Sequence, residues 1–320
     1  MTAGAPRRAA FIGECMIELR HETPDLLRLG FAGDVFNAAA YLARSAPASA
    51  VTVEFVTITG DDPYSAQMRE SWRAYGVGDT LAATLPGGRP GLYLIRLDVD
   101  GERTFYHYRA ESAARGLFGP DHAAAADDAI AACDLVYLSA ITLSIMTAAA
   151  RQRLLSVLAA ARAHGARVVF DSNYRPAGWP AAAQAATAIT ETLAHTDIAL
   201  PTLADEQAVF GDADALSCVK RLQAAGVGEI VVKLGAAGCL VAGLSGAGVP
   251  VPAVPGVIVV DTTAAGDAFN GGYLAARLQG AAPLAAARAG NALAAEVVAA
   301  PGALLPPGGA DDRQWRLRSP

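Results

Sequence analysis

The feature that most restricts the fold is a recurring alternation along the chain. Short apolar runs rich in β-branched residues are each followed by an Ala/Leu-rich segment of helical spacing. The clearest runs are "AAFIG" (9–13), "VEFVTIT" (53–59), "LVYLS" (135–139), "RVVFD" (167–171), "IALPT" (198–202) and "EIVVK" (229–233). Helical segments lie at 64–75, 148–164 and 204–225. A chain patterned in this way builds a mostly parallel sheet with helices on both faces, and its ligands sit outside the carboxyl ends of the strands. With 320 residues there is ample surface to bury. Much of the 53% hydrophobic fraction is alanine, so helix faces of small residues are expected to pack closely.

Two stretches interrupt the alternation. Residues 14–34 follow the first strand with no helix, and 87–112 read as two alternating strands around the turn "DVDGER". Together they are expected to form a small antiparallel β-sheet serving as a lid over the strand ends. The division that follows is 1–13, 35–86 and 113–320 for an α/β nucleotide-binding domain, and 14–34 and 87–112 for the lid. An exposed lid sheet is a surface on which a second copy can pair, so a homo-oligomer through the lid is expected.

Net charge is −6, which argues against nucleic acid or a membrane surface as the main partner. Residues 234–260 carry no charge and are long enough to span a bilayer, but Gly235, Gly238, Gly243, Gly246, Gly248, Pro250, Pro252 and Pro255 favour hairpins and turns there. The opening "MTAGAPRRAAFIGE" has too short an apolar run for a signal peptide, and a cytoplasmic protein is the expectation. Cys15, Cys133, Cys218 and Cys239 have no C-x-x-C spacing and read as free, buried thiols.

The stretch "GVIVVDTTAAGDAFNGGYLAARL" reads as an apolar strand, a tight loop of small residues and a helix. The N–H groups of a helix start attract anions, and small residues let a phosphate reach them. Asp267 then stands where it can take a proton from an attacking hydroxyl, or it is an N-cap aspartate worth roughly 1 kcal/mol. From these residues alone the two readings stand level.

Three motifs resemble the signatures of the ribokinase-like (PfkB) sugar kinases, in order and at the right spacing. "DTTAAGDAFNGGYLA" is similar to their C-terminal D-T-x-G-A-G-D-x-F, "FAGDVFNAAAYLARSA" (31–46) to their N-terminal glycine-rich signature, and "VVKLGAAGCLV" (231–241) to their nucleotide-side turn. Within the family, "IGECMIEL", "PGLYLIRLDVDGERTFYHYR" and "FDSNYRP" look like the 2-keto-3-deoxygluconate kinases, which phosphorylate the 6-hydroxyl of a keto-acid sugar with MgATP. The resemblance, covering about 9–306, implies a ribokinase-like three-layer α/β/α domain with a lid. It implies that Gly33, Asp34 and Asn37 hold sugar hydroxyls, with Tyr93, His107 and Arg109 reaching from the lid. Arg175 would contact substrate and phosphate. Asn173, Thr202, Lys233, Gly235, Ala236, Gly238, Cys239 and Asn291 would lie along ATP, with Ala264, Ala265 and Gly266 as the anion hole and Asp267 as the base. A monovalent cation such as K+ is a further expected ligand.

The residues give independent reason for an acidic sugar. His107 and Arg109 share one strand face, Arg175 follows a strand end, and a guanidinium suits a carboxylate. Several positions depart from the family pattern. The first glycine of G-G-x-x-x-N is Ala32, and Ala264 would be strained at positive φ. The N-x-x-E motif is replaced by Thr202-Leu203-Ala204-Asp205 followed by Glu206, so that Asp205, acting through water, becomes the metal candidate. His107 stands where an aromatic hydroxyl is common. The competing readings are a kinase for a neutral sugar such as fructose or ribose, and a non-catalytic sugar-acid-binding protein. A dehydrogenase is weaker still, since "FIGECMIEL" lacks G-x-G-x-x-G.

Overall fold

The computed structural model describes residues 5–23, 25–97, 103–120 and 122–307. Residues 98–102 of the expected lid turn lie outside the described residues, as do 308–320 of the end 301–320, which the sequence leads one to expect as loosely ordered; Ala303 and Leu305 of that end are instead buried, and the Tyr41 hydroxyl donates to the Ala303 carbonyl at 2.8 Å.

The apolar runs assemble into a nine-stranded sheet. Its order is Val249–Val251, Cys239–Gly243, Glu229–Lys233, Ile198–Ala199, Arg167–Asp171, Leu135–Ser139, Arg7–Ile12, Val51–Val56 and Val77–Gly78. The last seven of these are parallel; Cys239–Gly243 runs antiparallel to them, and Val249–Val251, antiparallel to it, runs with the seven again. Every residue of Leu135–Ser139 and of Glu229–Lys233 is buried, as expected of strands covered on both faces. Alternate residues serve opposite cores. Ile12, Leu138, Phe170 and Val232 join one core with the helix Ala148–Ala163, while Phe11, Tyr137, Val169 and Val231 join the other with the helices Asp34–Ser45 and Ala265–Leu278.

The expectation of close helix packing through small residues holds. A Cβ placed on Gly271 would lie 2.6 Å from that of Tyr41, so the helices Asp34–Ser45 and Ala265–Leu278 meet where glycine leaves room. The segment read as one helix over 204–225 is two, Leu203–Phe210 and Ala215–Ala224, separated at Gly211, which adopts a left-handed φ of 74°. The run "VIVV" (257–260) is not a strand. Its last residue and the next pair with a helix end instead: the N–H groups of Val260 and Asp261 donate to the Val298 carbonyl at 2.7 and 3.1 Å. Ile258 is left 81% exposed. Among the described residues no helix is long and apolar enough to cross a membrane, and all four cysteines are free and buried.

The two interrupting stretches form a four-stranded sheet in the order Leu26–Ala32, Met16–Thr23, Leu92–Leu97, Arg103–Tyr108. Each excursion is an antiparallel pair, and a parallel seam joins them, with Ile17 opposite Leu92 and Arg20 opposite Ile95. This lid stands over the carboxyl ends of the central strands, leaving a cleft of about 1820 Å³ between them. Pockets for a single small ligand run to about 300–1,000 Å³, so the cleft has space for two.

Candidate active site

The floor of the cleft is the start of the helix Ala265–Leu278. Ala264 precedes it at φ 59°, ψ 12°, the left-handed conformation that the alanine makes costly. The Ala265 N–H donates back to the Thr262 carbonyl at 3.3 Å, and the N–H groups that follow it in the first turn have no helical carbonyl before them. Ala264, Ala265, Gly266 and Asp267 all line the cleft. Asp267 is 9% exposed, and its carboxylate accepts a 2.8 Å hydrogen bond from the Asn37 amide. Burial, reinforced by the nearby Asp34 charge, raises its pKa from 3.8 to about 7; the Asn37 hydrogen bond and Lys233 act against that rise.

Asp34 opens the helix Asp34–Ser45 and accepts a 2.8 Å hydrogen bond from the Asn173 amide. Burial pushes its carboxyl upward. Gly33 must be glycine for steric reasons, because a Cβ there would come within 2.2 Å of the Glu14 carbonyl oxygen. Lys233 ends its strand inside the protein. Its ammonium donates to Asp171 at 2.7 Å and to the Asn270 carboxamide oxygen at 3.2 Å, and the Asn270 amide donates to Tyr137 and Asp171. The Lys233 ammonium lies 3.4 Å from where a Gly266 Cβ would stand, placing its charge beside the 264–267 loop.

From the lid, Tyr93 pairs across the strands with His107, ring centroids 5.6 Å apart, and its hydroxyl donates to Glu18. Burial, followed by the Arg109 charge, lowers the His107 pKa, so the imidazole is neutral at pH 7 and offers hydrogen bonds rather than charge. Arg109 is ion-paired with Glu14. Arg175 reaches the cleft rim, where its guanidinium donates to Asp205 at 3.2 Å with the side chain 58% exposed. Asp205, together with Thr202, lines the cleft, whereas Glu206 turns inward to Arg221. Glu206, Asp212 and Cys218 bring ligand-type atoms together, but the Arg221 guanidinium already pairs with both carboxylates.

Gly33, Asp34, Asn37, Tyr93, His107, Arg109, Asn173, Arg175, Thr202, Asp205, Lys233 and the 264–267 loop are thus gathered around one cleft. Gly235, Ala236, Gly238, Cys239 and Asn291 do not line it. Gly235 and Ala236 are exposed on the turn after Lys233, and Cys239 is buried. Asn291 spends its amide on the Val251 and Pro252 carbonyls at 3.3 and 2.9 Å.

Three residues of the site went unnoticed in the sequence. Asp171 ends the strand Arg167–Asp171, where a carboxylate reads as a turn residue. Asn270 lies three residues after Asp267 on the same helix face, a spacing that could have revealed it. Glu14, directly after the first strand and its glycine, gave no signal of its own.

The model of the pfkB family carbohydrate kinases matches residues 7–307. A 2-dehydro-3-deoxygluconokinase of Dickeya dadantii is 44% identical over 94% of this chain and 97% of its own, and one of Escherichia coli K12 is 43% identical over 94% and 97%. The crystal structure of a fructokinase with bound ATP from Xylella fastidiosa superposes with a TM-score of 0.79 at 25% identity, covering 92% of this chain and 93% of that one. The gathered cleft, the three-layer sheet and these matches lead to one assignment: this chain belongs to the pfkB family of carbohydrate kinases.

Proposed function

We propose that the protein transfers the γ-phosphoryl group of ATP to the 6-hydroxyl of 2-dehydro-3-deoxygluconate. The observation that carries the proposal is a buried carboxylate at a helix start, Asp267, with a pKa raised to about 7. Such a group is a usable base near neutral pH, and the anion loop beside it suits a phosphate. The 43–44% identity to the two 2-dehydro-3-deoxygluconokinases supports the substrate. The ATP in the Xylella fructokinase supports the phosphoryl donor.

The residues present fit both ligands. Small side chains at 264–266 leave backbone N–H groups open to an anion, Lys233 adds a fixed cation, and Asp205 offers the oxygen donor that Mg²⁺ prefers. MgATP supplies the phosphoryl group and the charge that neutralises its oxygens. The protein's own share begins with Asn37 and Asp34, which orient the sugar beside Asp267. The Asp267 Oδ atom not held by Asn37 accepts the proton of the 6-hydroxyl. The helix-start N–H groups and Lys233 stabilise the negative charge that builds as the bond forms. The lid, with Tyr93 and His107, excludes water that would otherwise take the phosphoryl group. Leu26, Tyr106 and Tyr108, exposed on the lid strands, support pairing with a second copy there.

The test is a coupled ADP-release assay with the keto-acid, its galactose-derived epimer and fructose. Turnover of a keto-acid at least tenfold better than fructose, with the phosphate mapped to O6, is the expected result. Preference for fructose would replace the substrate while keeping the chemistry, and absence of ADP with every sugar would overturn both.

A further inference from the structure

The lid-side wall of the cleft raises a question of charge balance, on the keto-acid reading just given. Glu14 follows the strand Arg7–Ile12, and its side chain is 1% exposed. Burial raises its pKa and the ion pair with Arg109 opposes that rise; with Glu14 ionised the pair has no net charge. A substrate carboxylate docking on Arg109 alone would put two anions on one guanidinium, in a wall that lid closure dries. Close like charges in such a place are strongly unfavourable. On that reading Lys233, paired with Asp171, serves the phosphoryl group, and Arg175 at the rim is paired with Asp205.

Arg115 meets the requirement. It lines the same cleft, as does Arg89, but of these two Arg115 is the one whose charge, with that of Arg109, opposes the rise that burial imposes on the Glu14 pKa. Its backbone is held by hydrogen bonds and by buried neighbours. It rides on the short turn Ala113–Gly116, where Ala113 and Ala114 are buried. The Ala113 N–H donates to the Arg89 carbonyl at 2.9 Å and the Arg115 N–H to the Ser112 carbonyl at 3.1 Å. The side chain itself is exposed to the cleft, and the neighbouring Glu111 is exposed and solvated. We propose that Arg115 is a specificity-determining residue that balances the carboxylate of the sugar-acid substrate, Arg109 being already compensated by Glu14.

The experiment compares the keto-acid with its uncharged C1 carboxamide in wild type, Arg115→Gln and Arg115→Gln/Glu14→Gln. Loss of one charge-assisted contact predicts that Arg115→Gln raises KM for the keto-acid about tenfold or more, with kcat changed less than threefold. The carboxamide should keep its KM within about twofold. Removing the opposing charge of Glu14 in the double variant should bring the keto-acid KM back toward wild type, a rescue that a merely structural role would not give. An equal rise in KM for acid and amide, or no rise for either, overturns the assignment while leaving the kinase reading intact. A wild type inactive on the keto-acid overturns both.

Discussion

Removing the buried carboxylate proposed as the base, that of Asp267, should make the protein more stable, and by an amount that depends on pH. Asp267 is raised from 3.8 to about 7 because burial disfavours its charged form. Below pH 4 both folded and unfolded chains hold the proton, and the site has no electrostatic cost. As pH rises from 4 to 7 the unfolded chain ionises and the folded one does not, so stability falls; above 7 the cost is complete. At roughly 1.4 kcal/mol per pH unit, the full penalty is about 4 kcal/mol. The carboxamide introduced by Asp267→Asn keeps a carbonyl oxygen for the Asn37 amide, which preserves the 2.8 Å hydrogen bond while removing the charge. In a chain of this length about 1.5 °C of melting temperature corresponds to 1 kcal/mol, so a gain of about 6 °C is expected at pH 8. It should shrink to about 2 °C at pH 5. Thermal melts of the ligand-free wild type and variant from pH 4.5 to 8.5 measure this, while kcat falls by about 10²–10⁴. A difference that does not change with pH, or a variant less stable at pH 8, would refute the assignment of burial and charge as the cause.

Ala264→Gly relieves the positive φ at the anion loop and should stabilise the protein by up to about 1 kcal/mol, read from urea melts, with kcat retained. Gly33→Ala drives a Cβ to within 2.2 Å of the Glu14 carbonyl oxygen and should cost more than about 2 kcal/mol in the same melts, because backbone has to move. Lys233→Met leaves Asp171 buried without its cation and should cost about 3–5 kcal/mol; adding Asp171→Asn should recover most of it, which a double-mutant cycle measures.

The strands that could be read from sequence were those whose burial on both faces forces a continuous apolar run, such as Leu135–Ser139 and Glu229–Lys233. The same signal misled at 257–260, where no strand forms and Ile258, Val259 and Val260 remain exposed. Hydrophobicity alone does not report whether a run finds a strand to pair with. In the site, Asp267 and Lys233 were legible because they stand in patterned stretches. Asp171 and Asn270 were not, because their importance lies in the partners that the fold supplies from distant segments. Arg175 was legible as a cation at a strand end, but not its pairing with Asp205, which depends on how the helix Leu203–Phe210 docks. The strain at Ala264 was foreseeable from an alanine in a loop where the family carries glycine.

The parallel seam of the lid has a consequence for how the protein comes to be folded. Glu18 and Tyr93, bonded across it, are 75 residues apart in the chain, whereas each antiparallel pair of the lid joins near neighbours. Closing a loop of that length costs on the order of 4 kcal/mol in chain entropy before any contact repays it. The seam therefore joins late, after Val51–Val56 and the helix Pro63–Ala74 have shortened the path between its halves. Both halves of the lid leave the ribosome well before the helix Ala265–Leu278, so the strands that cover the cleft exist before the helix that forms its floor.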